Sequence, residues 1–137
     1  MKLIADTDLL VRAAVMDDPA QGPAAAEAMR QASLVAVPTP ALCEFVWVLA
    51  RAYKRPAGDI AAAIRRLLAV ANVAADRPAA EMGLAFLDAG GDFADGVIAH
   101  EGRVLGRGRE AVGAEPDPRD LDAGQPVRRH SPSPYGA

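Results

Sequence analysis

The chain has few of the features that would assign it to a specialised class. Its 137 residues include one cysteine, Cys43, so no disulfide can form within the chain, which fits a reducing compartment. No apolar run approaches the roughly 18 residues that a membrane span needs, and the N-terminus lacks the pattern of a signal peptide. We therefore expect a soluble, cytoplasmic protein with no membrane partner.

The chain also lacks positive charge in excess. Its formal net charge is -3, and no long basic block occurs before residue 100. Strong binding of duplex nucleic acid by the bare chain is therefore not indicated. An acidic protein can still cut nucleic acid if a divalent metal neutralises its site. About half of the residues are apolar, many of them alanine, which is enough for one core in one domain.

Short β-like runs alternate with helical patterns along the first hundred residues. Strands are expected at residues 2–5, 34–37 and 72–75, and helices at residues 9–15, 19–31, 39–53, 59–70, 76–89 and 92–105. Thr39 and Asp76 have the sequence context of helix N-caps, and Gly106 that of a helix end. This alternation predicts an α/β fold with a mainly parallel sheet of about four strands.

Composition changes after Gly106. The last 31 residues hold five of the eleven prolines and five arginines, with few large apolar side chains. We therefore expect a folded domain over residues 1–115 and an irregular or disordered tail over residues 116–137.

Three acidic residues occupy matching positions in this pattern. Asp6 follows the first strand, Glu44 lies near the start of the helix after the second strand, and Asp95 near the start of a late helix. Strand ends and helix starts of a parallel sheet meet at one edge, so the three carboxylates would converge. Gathered carboxylates repel, which predicts a divalent cation, and oxygen ligands favour Mg²⁺ or Mn²⁺. Such an ion can acidify a water for attack on a phosphodiester.

Each acid also has a purely structural interpretation. Asp6 is placed to cap the following helix, and Glu44 could be a solvated residue that interacts favourably with the helix dipole. Asp92 and Asp95 are spaced like a capping box, in which Asp92 is the capping residue. The role of Asp95 stays open on this basis.

The same three segments carry a family resemblance. Residues 5–12, Ala-Asp-Thr-Asp-Leu-Leu-Val-Arg, resemble the opening of PIN-domain ribonucleases, which usually reads Asp-Thr-Asn-hydrophobic-Leu-Val/Ile-Arg. Residues 38–49 and 92–99 are similar to the second and third acidic segments of that family, in the same order and spacing. The resemblance covers about residues 1–106 and is strongest for the VapC-type toxins of bacterial toxin–antitoxin pairs.

This resemblance implies a PIN-like three-layer α/β/α sandwich and a Mg²⁺-dependent (or Mn²⁺-dependent) endoribonuclease. The metal-site acids would be Asp6, Glu44 and Asp95. Thr7, beside the first acid, would hydrogen-bond a water or a phosphate. The implied partners are an RNA substrate, a neutralising VapB-like antitoxin and a second copy of the chain within a larger toxin–antitoxin complex. Operator DNA would be contacted only through the antitoxin.

The chain departs from the family pattern at two places. Asp8 replaces the usual Asn and adds negative charge. The family normally continues from the third segment into a strand that supplies a fourth acid, but residues 107–118 show no such strand, and Pro116 and Pro118 flank Asp117. We hypothesise that the chain after about Gly106 is read in a shifted frame, which the nucleotide sequence would test.

Two other functions stay open. One is a catalytically impaired PIN-like domain that acts only through antitoxin binding or self-association, as the altered fourth segment favours. The other is a phosphohydrolase of the haloacid dehalogenase type with Asp6 as nucleophile. Leu9 and Leu10 argue against it, because that family has a small residue and a Thr there.

Trp47 and Arg12 each have a structural and a functional interpretation. We expect Trp47 to pack in the core, with a dimer or antitoxin interface as the alternative. We expect Arg12 to be a solvated helix residue and not a phosphate ligand.

Overall fold

The computed structural model describes the chain over residues 1–112, with side chains described through residue 107. Residues Met1–Ile98 form one compact unit, and a second unit begins at Ala99. The predicted tail, residues 116–137, lies outside the described part. No helix among the described residues combines the length and the apolar character needed to cross a membrane.

The described elements confirm an α/β fold. Over residues 1–112 three strands alternate with six helices. In chain order they are β1 (Lys2–Ile4), α1 (Thr7–Val15), α2 (Gln21–Gln31), β2 (Leu34–Val37), α3 (Thr39–Arg51), α4 (Ala57–Ala69), β3 (Val73–Ala75), α5 (Arg77–Asp88) and α6 (Phe93–Val112).

The strands form one parallel sheet in the order β1-β2-β3. Leu3 pairs with Val35, and Val35 pairs in turn with Val73. Residues 1–112 thus contain three of the roughly four strands expected. Within this sheet β1 lies at an edge, and its Ile4 side chain is 73% exposed.

One apolar core lies around the sheet and the inward faces of the helices. On α4, Ile60, Ile64 and Leu68 recur every four residues and are all buried, as the helical period requires. The largest fully buried side chains of the described residues are Phe93, Leu42, Ile60, Ile64 and Val35. Alanines fill much of the remainder, so helices pack closely with little side-chain volume between them.

The turn between α1 and α2 is fixed by two adjacent acids. Asp18 Oδ1 accepts hydrogen bonds from the backbone N–H groups of Gln21 and Ala20, both at 2.8 Å, and these bonds lower the pKa of Asp18. The Tyr53 hydroxyl donates to Asp17 Oδ2 at 3.2 Å, which raises the pKa of Tyr53. The first turn after α1 is thereby tied to the segment that follows α3.

Two residues predicted to mark a helix boundary do not do so. The prediction that Thr39 is an N-cap is wrong, because Pro38 holds that position in extended backbone (φ -64°, ψ 144°) and Thr39 is the first helical residue. The prediction that Gly106 ends the last helix is also wrong, since α6 continues to Val112. A glycine costs a helix only about 1 kcal/mol relative to alanine, too little to end it alone. Asp76 does cap α5, accepting from Ala79 N–H at 3.2 Å as predicted.

Helices α5 and α6 approach closely at two glycines. A methyl group added to Gly83 would lie 2.6 Å from the ring of Phe93, the first residue of α6. One added to Gly96 would collide with the Met82 carbonyl oxygen and would lie 2.7 Å from the Gly83 Cα atom. These contacts fix the first turns of α6, which carry Asp95, against α5.

Replacing Gly96 with alanine tests this contact. We expect Gly96→Ala to lower the free energy of unfolding by about 1–3 kcal/mol, the usual cost of overpacking. Gly58→Ala is the matched control, because a methyl group there meets no atom within 4 Å. That variant should be neutral or stabilised by up to about 1 kcal/mol. Urea unfolding measures both, and equal stability of the two variants would contradict the close approach.

Candidate functional site

Parallel pairing of β1 with β2 brings the first two acidic motifs together. Ala5 is fully buried, and its N–H donates to the Ala36 carbonyl at 2.8 Å, so the pairing extends to the residue before Asp6. β2 ends at Val37, and α3 then carries Glu44 in its second turn. Both acids therefore follow the carboxyl ends of neighbouring strands, as the sequence predicts.

A direct hydrogen bond joins the two motifs. Thr7 Oγ1 donates to Glu44 Oε1 at 2.8 Å, across 37 residues of sequence. This bond links the start of α1 to α3 and orients the Glu44 carboxylate. Both Asp6 and Glu44 are exposed, whereas Thr7 is half-buried.

Asp6 is the N-cap of α1. Its Oδ1 accepts from the Leu9 N–H at 2.9 Å, so the capping interpretation is confirmed. The cap uses one carboxylate oxygen, and the other accepts no hydrogen bond from the described residues. The same holds for the second oxygen of Glu44. Capping is thus compatible with a further role for Asp6.

The negative charge of Asp8 is compensated within α1. Arg12 lies one turn later, and its guanidinium forms a 2.7 Å ion pair with the Asp8 carboxylate. Both side chains are exposed, so the pair adds little stability. Arg12 is thus a surface helix residue, as predicted, and it offsets the charge of Asp8.

Asp95 is exposed at the third position of α6. No hydrogen bond or ion pair joins it to Asp6, Thr7 or Glu44 within the part of the chain that the structure describes. Among those residues, no group of three or more Asp, Glu, His or Cys side chains is arranged to hold a metal ion. The site of three acids therefore stays a prediction, while the Thr7–Glu44 contact beside Asp6 is observed.

Asp92 is in the N-cap position of α6 by its backbone. Its carbonyl accepts from the Gly96 N–H at 3.3 Å. Its carboxylate makes no hydrogen bond with the described residues, so the side-chain cap predicted for it is not seen.

The donor chemistry at Asp6 and Glu44 fits a magnesium ion. Mg²⁺ is usually held by one or two carboxylates, and waters and substrate phosphates complete its coordination. Each of these two exposed side chains has a carboxylate oxygen that accepts no hydrogen bond from the residues that the structure describes. Their other oxygens are held by Leu9 N–H and Thr7 Oγ1, which limits the motion of both groups.

The prediction that Trp47 packs in the core is wrong, because 59% of the residue is exposed. The sequence does contain a signal for this exposure. Trp47 lies three residues after the charged Glu44 and four before the charged Arg51, which places all three on the solvent-exposed face of α3. The Arg51 guanidinium carbon lies 5.7 Å from the centre of the Trp47 ring. The buried face of α3 is formed instead by Ala41, Leu42, Phe45, Val46 and Leu49.

Comparison with known proteins gives no match for this chain to a protein-family model, a curated protein or a solved structure. The interpretation of the site therefore depends on its geometry and on the sequence motifs.

Substitutions at Asp6 separate the helix cap from the charge. Asp6→Ala removes the bond to Leu9 N–H and should lower the free energy of unfolding by about 1 kcal/mol, within a range of about 0.5–2. Asp6→Asn keeps an acceptor of equal capping strength and should stay within a few tenths of a kcal/mol of the original chain. Urea unfolding of the three proteins measures this. An equal loss in both variants would contradict the capping role.

Proposed function

We propose that the chain is a metal-dependent endoribonuclease toxin of the VapC type, built as a PIN-like three-layer α/β/α sandwich and acting in the cytoplasm. The observation that carries the proposal is the hydrogen bond from Thr7 to Glu44. It joins two of the three motifs on which the resemblance depends, and Asp6 precedes Thr7 at the same helix start.

The order of the elements supports the same proposal. Asp6 and Glu44 follow adjacent parallel strands, where binding sites of α/β sheets usually lie. Asp95 lies in the first turn of a helix, as the third motif requires. Asp6, Glu44 and Asp95 would hold Mg²⁺ or Mn²⁺, and the ion supplies Lewis-acid activation of phosphate and water when bound.

The protein itself orients the acidic side chains before any ligand binds. Leu9 N–H holds one oxygen of Asp6, and the Thr7 hydroxyl holds one oxygen of Glu44. Because the Thr7 proton is directed at Glu44, its oxygen lone pairs can accept a hydrogen bond from a water. Donation from Thr7 to a phosphate would require the bond to Glu44 to break. The arrangement therefore favours the water as the ligand of Thr7.

The proposed partners follow from the resemblance. RNA is the substrate, a VapB-like antitoxin neutralises the enzyme by inserting a segment into the acidic cleft, and a second copy forms a homodimer. Operator DNA is contacted through the antitoxin alone. The exposure of Asp6 and Glu44 supports a site that substrate or antitoxin can reach.

Cleavage of mixed small RNAs by the purified, antitoxin-free chain tests the proposal. We expect cutting with Mg²⁺ or Mn²⁺ and none with chelator. Asp6→Asn, Glu44→Gln and Asp95→Asn should each reduce the rate more than about 100-fold, because loss of outer-sphere groups alone costs 10- to 100-fold at metal sites. Asp6→Asn is the decisive variant, since it removes the charge and retains the helix cap.

Asp59→Asn is the matched control for this assay. Asp59 is an exposed acid in the first turn of α4, and its carboxylate makes no hydrogen bond or ion pair with the described residues. Its loss should leave cleavage unchanged. Cleavage that survives in chelator, or that Asp6→Asn and Asp59→Asn affect equally, would refute the metal site.

A catalytically impaired PIN-like domain is the second candidate. The observation that favours it is that no group of three metal-binding side chains is found among the described residues. Such a domain would bind an antitoxin or itself without cutting RNA. Failure of the folded, antitoxin-free chain to cut RNA with either metal would support this candidate over the nuclease.

A further inference from the structure

Trp47 and Arg51 form an exposed pair on α3, and we refer to them as the α3 pair. Trp47 lies three residues after Glu44, and Arg51 lies four residues after Trp47, so all three are on the same helix face. The guanidinium carbon lies 5.7 Å from the ring centre, within the range of a cation–π contact. Trp47 is 59% exposed, so its ring is accessible from solvent. An exposed aromatic ring beside a cation is the combination that binds unpaired nucleotides.

We propose that the α3 pair is a binding site for single-stranded RNA that extends from the acidic site, with a base stacked on Trp47 and a phosphate bound by Arg51. This inference deepens the proposed function and rests on it. Seven residues separate Glu44 from Arg51, roughly 10 Å along the helix axis. A strand with one phosphate near Glu44 can therefore place a neighbouring nucleotide over Trp47.

The charge pattern of this face favours RNA over a second protein. The cores of protein interfaces are depleted of charged residues, and stable ones bury about 800 Å² on each partner. The exposed face of α3 instead has one large apolar side chain between an acid and a cation. Positive charge continues just beyond the helix, where two further basic side chains are exposed. These two side chains are Lys54 and Arg55.

Fluorescence offers a direct test, because Trp47 is the one tryptophan in the sequence. Short single-stranded RNA of mixed sequence, titrated into the full chain with chelator at low salt, should quench Trp47 emission to saturation. Anisotropy of labelled RNA should show that Trp47→Ala weakens binding roughly 5- to 140-fold, the range expected for one stacked base. Trp47→Phe should restore most of the affinity. In a plot of the logarithm of the RNA binding constant against the logarithm of the salt concentration, Arg51→Gln should reduce the steepness of the slope by about one.

Two variants and one ligand serve as controls. Val70→Ala removes another exposed apolar side chain, and Arg77→Gln removes another exposed cation, so neither should change RNA affinity. Duplex RNA of the same sequence should bind more weakly, since its bases are not free to stack.

The outcomes separate this inference from the proposed nuclease. If RNA binding depends on Trp47 but the chain never cuts RNA, the result would support the RNA-binding site and refute the proposed nuclease activity. If the original chain cuts RNA and the Trp47→Ala variant binds and cuts RNA equally well, the result would overturn the RNA-binding site and leave the nuclease proposal intact. A Trp47→Ala variant that converts a dimer into a monomer at unchanged RNA affinity would also overturn it, and would assign the face to a second copy.

Discussion

Parallel pairing between β1 and β2 is the constraint on which the candidate site depends. The pairing of Leu3 with Val35 sets the register, and the hydrogen bond from Ala5 N–H to the Ala36 carbonyl carries it to the residue before Asp6. A slip of one residue would turn every side chain of β1 to the opposite face. With the register fixed, α1 and α3 start at the same edge of the sheet. The Thr7–Glu44 hydrogen bond follows from that geometry.

Local backbone requirements and chemistry are met by the same residues at this edge. Asp6 caps α1 with one oxygen and leaves the other exposed, so the residue that begins the helix also presents a carboxylate to solvent. Asp8 brings a second negative charge and, one turn later, Arg12 compensates it. The small size of Gly83 and Gly96 allows α6, the helix that carries Asp95, to pack closely against α5.

Much of the fold could be predicted because its signals are local. The β-like run over residues 34–37, the cap at Asp76 and the four-residue repeat of Ile60 and Ile64 each follow from sequence and are confirmed. Trp47 was placed wrongly because residue type alone suggests burial, whereas its spacing from Glu44 puts it on the solvent face. The Thr7–Glu44 bond could not be derived from sequence, because Thr7 and Glu44 are 37 residues apart and the sheet positions the two helices that carry them.

Whether Asp6 and Glu44 hold a metal ion can be measured on the isolated chain, without knowing the RNA target. Titration with Mn²⁺, followed by its electron paramagnetic resonance signal, counts bound ions and gives their affinity. We expect a site whose affinity Asp6→Asn and Glu44→Gln each weaken at least about tenfold and that Asp59→Asn leaves intact. A chain that binds no Mn²⁺, or binds it equally well in all three variants, would refute a metal site at Asp6 and Glu44.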